Sequence, residues 1–508
     1  MSPRSTGPMS PRSEAPDAPR RGWLLLAVSL GTFATFLDNN VVNVAIPTIQ
    51  RSLGLSEAGI EWVVGAYVLC FASLLLAGGR LADIVGHRRV YLAGLLGFVG
   101  ASMLSGSAGS GGMLIAARGL QGAFAALLTP AALSLVTTTF TEPAERARAI
   151  ALSGAVGALA LAVGPLVGGV LTQYASWHWI FFVNGPIGAL TLGLSLWAIP
   201  RARRASRERR FDLPGALVSA ATLFGLTYGL IEGPEVGWSA PVVLAALVAS
   251  AVGAAAFILV ERRVTDPMVD LRLFAPRGVQ TGTAALMAWA FGLFGIYLFT
   301  PIYLQDVLGF SPTSAGLALV PVAVCMALSA ASSDRAVARL GAHRVIGGAM
   351  VLMAAGIASV SVLGSGTTFA ELMPSFAVIG IASGLTIPLT TIVIGGLPDG
   401  VAGVASAVFN ASREAAGLLG IAVIGAVISA RRAALVRAGH APLGAFLSGY
   451  HLGVVVAGAI VAVGGVIAWV GLRERAPARL AVPGDVRRHA SVPYRADELV
   501  EIDPETAA

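Results

Sequence analysis

The residues best equipped for chemistry are charges set where an apolar chain can least bear them. Asp38 stands in the stretch Leu37-Asp38-Asn39-Asn40-Val41-Val42-Asn43-Val44-Ala45-Ile46-Pro47, inside a long apolar run that opens at Trp23. A helix rising 1.5 Å per residue carries it about 22 Å along that run. A charge at the centre of a membrane helix costs at least about 2.5–3.5 kcal/mol, and nothing nearby in sequence neutralises this one. It is therefore read as a functional carboxylate facing a water-filled cavity, able to bind a proton or pair with a cation. The alternative is a structural aspartate bonded to a neighbouring helix. Arg118, in Arg118-Gly119-Leu120-Gln121-Gly122 of a later run, lies at a similar depth, about 10 Å from the outer end. An ion pair with Asp38 is geometrically possible and would offset the cost of burying either charge. A conformational change that alters the burial of Asp38 or its distance from Arg118 would load or release a proton.

Two further charges, Arg413 and Glu414, fall near the middle of another run. Adjacent helix positions point about 100° apart, so the two are not expected to pair with each other. Glu414 is read as an extra acidic site or as a structural partner of another helix. Glu61, near the outer end of its run, is expected to reach headgroups or water, with contact to substrate as the alternative. In that same run Trp62 and Tyr67 offer aromatic surface to a cationic substrate, with helix packing or interfacial anchoring as the alternative. Asn39, Asn43 and Gln121 complete the candidate cavity lining.

Composition sets what can hold these charges. The chain has 508 residues, 56% hydrophobic and only 12% charged, with mean hydropathy +0.79, which marks a polytopic membrane protein. All 34 basic residues are arginine. A phosphate-binding loop of the Walker type needs a lysine, so an ATP-driven pump carried by this chain alone is excluded. Cys70 and Cys325 both sit in apolar runs and imply neither a disulfide framework nor a metal site. The six histidines are scattered without ligand spacing, and no nucleophile–base pair is evident, so an enzyme is not indicated. The net charge of +7 follows membrane topology and does not point to nucleic acid.

Apolar runs of spanning length occur at about 23–47, 60–79, 90–109, 113–136, 149–171, 179–199, 213–231, 241–260, 280–301, 313–331, 345–363, 371–394, 401–429 and 449–471, fourteen in all. With the N-terminus inside, the inner loops and tails hold 28 arginines against four outside: Arg51, Arg431, Arg432 and Arg437. That bias predicts both termini to be cytoplasmic. Gly86-His87-Arg88-Arg89-Val90 and Gly341-Ala342-His343-Arg344-Val345 form a weak repeat after spans two and ten. The predicted layout is a disordered tail (1–21), a six-helix bundle (22–199), a basic loop with an inserted two-helix hairpin (200–279), a second six-helix bundle (280–471) and a cytoplasmic tail (472–508). The basic loop reads as a positive-inside anchor, or as a contact with anionic membrane lipid. Low polar content predicts that the hairpin packs outside the two bundles. Paired six-span halves with a midplane site are a transporter architecture. A non-transporting sensor would need a soluble output domain, for which the tails are too short and polar.

Four motifs bring a family into view. Gly79-Arg80-Leu81-Ala82-Asp83-Ile84-Val85-Gly86-His87-Arg88-Arg89 resembles the signature cytoplasmic loop of the major facilitator superfamily, with His87 where a basic residue is usual. The resemblance makes Gly79, Asp83, Gly86 and Arg88 a conformational latch between the halves. Arg118-Gly119-Leu120-Gln121-Gly122 resembles the superfamily's intramembrane arginine motif. Gly164-Pro165-Leu166-Val167-Gly168-Gly169, with Gly157 on the same stripe as Gly164 and Gly168, is similar to the antiporter motif of proton-coupled exporters; Ala160 departs from it. The stretch around Asp38, the junction Trp177-His178-Trp179-Ile180-Phe181-Phe182-Val183-Asn184-Gly185-Pro186, and Tyr303-Leu304-Gln305 with Gly309-Phe310-Ser311 resemble the fourteen-span drug:proton antiporters. Asn410, Arg413 and Gly417 also match related transporters, which usually have glutamine where Glu414 stands.

The resemblance implies an all-α membrane protein with the major facilitator fold, two six-helix bundles plus two inserted helices. It implies export of lipophilic, often cationic small molecules in exchange for protons, with a proton gradient as driving force and no cofactor. The protein would be a monomer of the cell membrane. Export of one dedicated natural product and uptake are the alternatives.

Overall fold

A computed structural model describes residues 18–200, 213–263, 276–394 and 402–473. Most of the Pro-rich tail, the basic loop and the C-terminal tail lie outside the described residues. All regular structure within them is helical. The first half contains α1 (Ala18–Leu53), α2 (Glu57–Val85), α3 (His87–Gly106), α4 (Gly111–Thr139), α5 (Pro143–Tyr174), the short α6 (Trp179–Phe182) and α7 (Asn184–Ala198). The inserted pair is α8 (Leu213–Val236) and α9 (Pro241–Arg263). The second half contains α10 (Arg277–Ile302), α11 (Pro312–Leu340), α12 (Ala342–Ser359), α13 (Phe369–Leu385), α14 (Pro388–Ile394), α15 (Ala402–Arg437) and α16 (Pro442–Gly471). Thirteen helices among the described residues are long and apolar enough to cross a membrane, with α6–α7 and α13–α14 each acting as one broken span. The 24-residue α8 stands where the fourteenth is expected.

Local chemistry sets the ends. Ser56, Ser110 and Ser311 cap α2, α4 and α11 by accepting from the backbone N–H three residues on, and Thr368 with Glu371 forms a capping box on α13. All four helices start at the same end of the bundle, which is called distal here; it is the end expected to lie outside. At the opposite, proximal end the α2–α3 and α11–α12 turns are each made by a glycine with positive φ, Gly86 at +107° and Gly341 at +85°. The weak sequence repeat is therefore a repeated turn.

Packing repeats as well. In the first half α1 packs on α5 and α7, and α4 on α2 and α3; in the second, α10 packs on α15 and α16, and α13 on α11 and α12. The halves meet along two equivalent seams, α5 against α11 and α2 against α15. The hairpin breaks the equivalence. α8 docks on both α2 and α15, while α9 packs on α8 and leaves Val242, Leu244, Val248, Val252 and Leu259 exposed, as suits a lipid-facing helix.

The distal end is shut. Arg51 pairs with Asp306 at 2.8 Å, and Gln305 donates to the Val44 carbonyl at 2.7 Å, both from the π-helical turn Tyr303–Val307 that ends α10. Thr313 N donates to Gln173 Oε1 at 3.1 Å. On the other seam Glu57 accepts from Ser429 and pairs with Arg432.

Candidate functional site

Asp38 does not face a cavity. It is fully buried among α1, α4 and α7, and its partners are as buried as it is. Oδ2 accepts from Arg118 Nη1 at 2.5 Å. Oδ1 accepts from Gln121 Nε2 and from Asn184 Nδ2, each at 2.8 Å. Gln121 Oε1 in turn accepts from Arg118 Nη1 at 2.7 Å, so one turn of α4 supplies both the cation and a second donor. Asn184 also donates to Ser102 Oγ at 3.0 Å, and Ser102 donates to the Phe181 carbonyl, which ties α3 to the break between α6 and α7. These donors supply what a carboxylate removed from water requires. The expectation of a solvated aspartate fails because α4 and α7 close over it; the alternative read from the sequence, an aspartate bonded to neighbouring helices with Arg118 as its ion-pair partner, is what the structure has.

Arg118 is held on its other sides too. Nε donates to the Val63 carbonyl at 3.3 Å, and the guanidinium lies 4.5 Å from the Tyr67 ring centroid and 5.7 Å from that of Phe181. Tyr67 is thus engaged by the arginine, not offered to a substrate. It also faces the other half: Glu414 of α15 is near enough for its charge to act on the phenol. Arg413 and Glu414, contrary to the expectation from helix geometry, bond to each other, with Nη2–Oε1 at 2.5 Å and Nε–Oε1 at 3.2 Å. A 100° offset separates Cβ directions, and the long arginine chain curls back across it. The Arg413 side chain is 29% exposed and that of Glu414 only 7%.

The chain matches the Major Facilitator Superfamily across residues 28–421. The chain belongs to that superfamily. It is 40% identical over 412 residues to the puromycin resistance protein pur8 of Streptomyces alboniger, covering 80% of this chain and 81% of the relative. It is 36% identical over 410 residues to the multidrug resistance protein Stp of Mycobacterium tuberculosis, covering 79% and 75%. The inward-facing, unoccupied structure of a bacterial homologue of the human lysosomal transporter Spinster superposes with a TM-score of 0.64 at 17% identity, over 90% of this chain and 98% of that one. The last likeness concerns the fold alone; together with the family match it gives this chain the major facilitator fold.

The remaining candidates of this major facilitator protein take definite places. Gly164 and Gly168 turn towards α1, where a Cβ would stand 2.7 Å from Asn40 Cβ and 2.5 Å from the Val41 carbonyl oxygen, and Gly157 faces Phe36. Gly169 leaves that stripe and meets the Pro312 carbonyl of α11, one turn beyond the Pro165 that α11 meets through Gly316. The antiporter-like glycines therefore let α5 lie close to both α1 and α11. In the latch-like loop Gly79 packs on Pro130, and Arg88 donates to the Leu196 carbonyl at 3.3 Å, within its own half. Asp83 is half-buried.

Trp62 is a packing residue. Its Nε1 donates to Glu232 Oε1 of α8 at 2.9 Å, and its ring lies 6.0 Å from Phe224 and 6.3 Å from Tyr228. Glu61 does not reach headgroups or water: it is 3% exposed, pressed on Gly425 of α15. Asn43 is buried, and its side chain donates to the Asn39 carbonyl at 3.1 Å, back along α1. Sequence reasoning missed Asn184 and Ser102 as partners of Asp38. Asn184 sits in a quoted motif, but a neutral amide in a motif does not announce which charge it serves.

Proposed function

We propose that this transporter exports lipophilic, chiefly cationic drugs or antibiotics by alternating access, driven by exchange for protons across the cytoplasmic membrane, with both termini cytoplasmic. The observation that carries the coupling is the buried Asp38–Arg118–Gln121–Asn184 cluster. It is an ionisable group on α1 whose partners come from two other helices, α4 and α7, so any rearrangement of these helices changes its affinity for a proton. Membership of the superfamily and the names of the relatives support export of small molecules. Arg413 and Glu414, across Tyr67 from that cluster, form the counterpart in the second half, where a cationic substrate can compete with Arg413 for Glu414. Nothing in this cycle calls for a cofactor. A second reading, export of one natural product, is favoured by the relative named for resistance to a single antibiotic.

The test is transport into everted membrane vesicles with an imposed pH gradient and a panel that includes puromycin and several lipophilic cations. Accumulation that vanishes when the gradient is collapsed supports the proposal, and the breadth of the accepted panel separates the two readings. Accumulation that survives collapse of the gradient would sink proton coupling.

A further inference from the structure

The hairpin brings a second set of carboxylates to the distal end of the α2–α15 seam. Glu61 is 97% buried, being 3% exposed. Its Oε2 has no hydrogen-bond partner, and a methyl group on Gly425 would strike its other oxygen. From α8, Glu232 and Glu235 come close enough for their charges to act on it. Both are fastened to α2, Glu232 by Trp62 Nε1 at 2.9 Å and Glu235 by the Ala58 N–H at 3.0 Å. Of the three arginines that α15 carries to this end, Arg432 is taken by Glu57, which Ser429 also contacts, Arg431 donates to Ser448 Oγ and Arg437 to the Ala433 carbonyl of its own helix. Among the described residues no arginine is paired with Glu61, Glu232 or Glu235.

A buried carboxylate with no donor, no cation and two like charges beside it is far costlier than the neutral acid. The Asp38 cluster is the opposite case, with an arginine and two amides already on its oxygens. We propose that Glu61 is a proton-binding latch on the distal gate. Its carboxyl is protonated while α2 and α15 are closed over it. When the seam parts, water enters, the O–H bond breaks, the electron pair stays on the carboxylate and the proton passes to water on the distal side. The proton binds and leaves at the same face. It therefore biases the equilibrium towards the closed gate without being carried across, and the latch needs alternating access but not gradient-driven export.

The experiment uses the full chain in nanodiscs, with Cys70 and Cys325 replaced by serine. Spin labels go on Tyr174→Cys and His440→Cys, two exposed distal positions in opposite halves. The expected result is a closed, short-distance population that grows in acid, its ratio to the open form changing by up to about tenfold per pH unit, the limit for one proton. Glu61→Gln has the size and neutrality of the protonated acid, so it should fold, stay closed and lose this pH response. Glu57→Gln should keep the response. A Glu61→Gln protein that follows the parent with pH, or a parent with no response, would overturn the proposal. Loss of gradient dependence in the vesicle assay would instead overturn coupled export and leave the latch in place.

Discussion

Gly169 of α5 and Pro312 of α11 approach so closely that a single methyl group on the glycine would strike the proline carbonyl. Gly316 stands in the same relation to Pro165. Gly316→Ala should therefore overpack the closed seam, at a cost of about 1–3 kcal/mol. The population moves towards distal-open forms, and a cysteine placed at Gln173 should label faster. An unchanged labelling rate, with the mutant folded, would show that the seam has slack.

Asp38→Asn removes the titration and leaves Arg118 without its anion. Truncating one side of a buried ion pair costs about 3–5 kcal/mol, reduced here because the amide can still accept one bond. Relief from the intramembrane charge spares insertion. Expected are normal membrane levels, a lower melting temperature and no substrate-induced proton release from detergent-solubilised protein. Proton release equal to that of the parent would remove Asp38 as the coupling site and make Glu414 the first candidate.

Asn184 gives a neutral hydrogen bond to a charged acceptor, worth about 1.5–3 kcal/mol. Asn184→Ala should lower thermal stability by an amount in that range. Asn184→Asp should be worse, since it sets a second carboxylate against Asp38 Oδ1. Thermal unfolding of the two variants checks the order, and an equal or reversed order would count against a donor role.

The Arg413–Glu414 pair is lopsided in exposure. Arg413→Ala strands a carboxylate that is 7% exposed, whereas Glu414→Gln strands a guanidinium that is 29% exposed and can reach water. The arginine variant should therefore be the less stable. If the glutamate variant unfolds first, the pair is not what stabilises Glu414.

Asp83 lies at the proximal end of α2, far from the buried charges. Asp83→Asn should slow turnover and leave substrate affinity nearly intact, since a group at that surface can only bias the conformational equilibrium. A large loss of affinity in equilibrium binding to the purified mutant would refute this.

The sequence made Asp38 and Arg118 conspicuous because a charge in an apolar run has few explanations. Fourteen apolar runs and the Gly86 and Gly341 turns likewise stated an all-helical, doubled architecture. What escaped was whatever depends on a third element. Glu61 looks like a headgroup contact until α15 and α8 close over it. Trp62 reads either as aromatic surface or as packing until Glu232 arrives from a segment 170 residues away. The pairing of Arg413 with Glu414 escaped for a different reason: backbone periodicity fixes where a side chain starts, and a guanidinium on a long stem ends elsewhere.

The placement of α8 has a mechanical consequence. Two halves with matching seams would rock about their shared axis with equal ease on either side. Here one seam carries a strap. For α2 and α15 to part, α8 must let go of one of them, and the Trp62–Glu232 and Ala58–Glu235 bonds favour its staying with α2. The opposite seam, α5 on α11, carries no such strap: its glycines meet backbone, and the Thr313–Gln173 bond is at its distal end. A molecule assembled from two like halves thus has a hinge side and a free edge, and its stroke is that of a door.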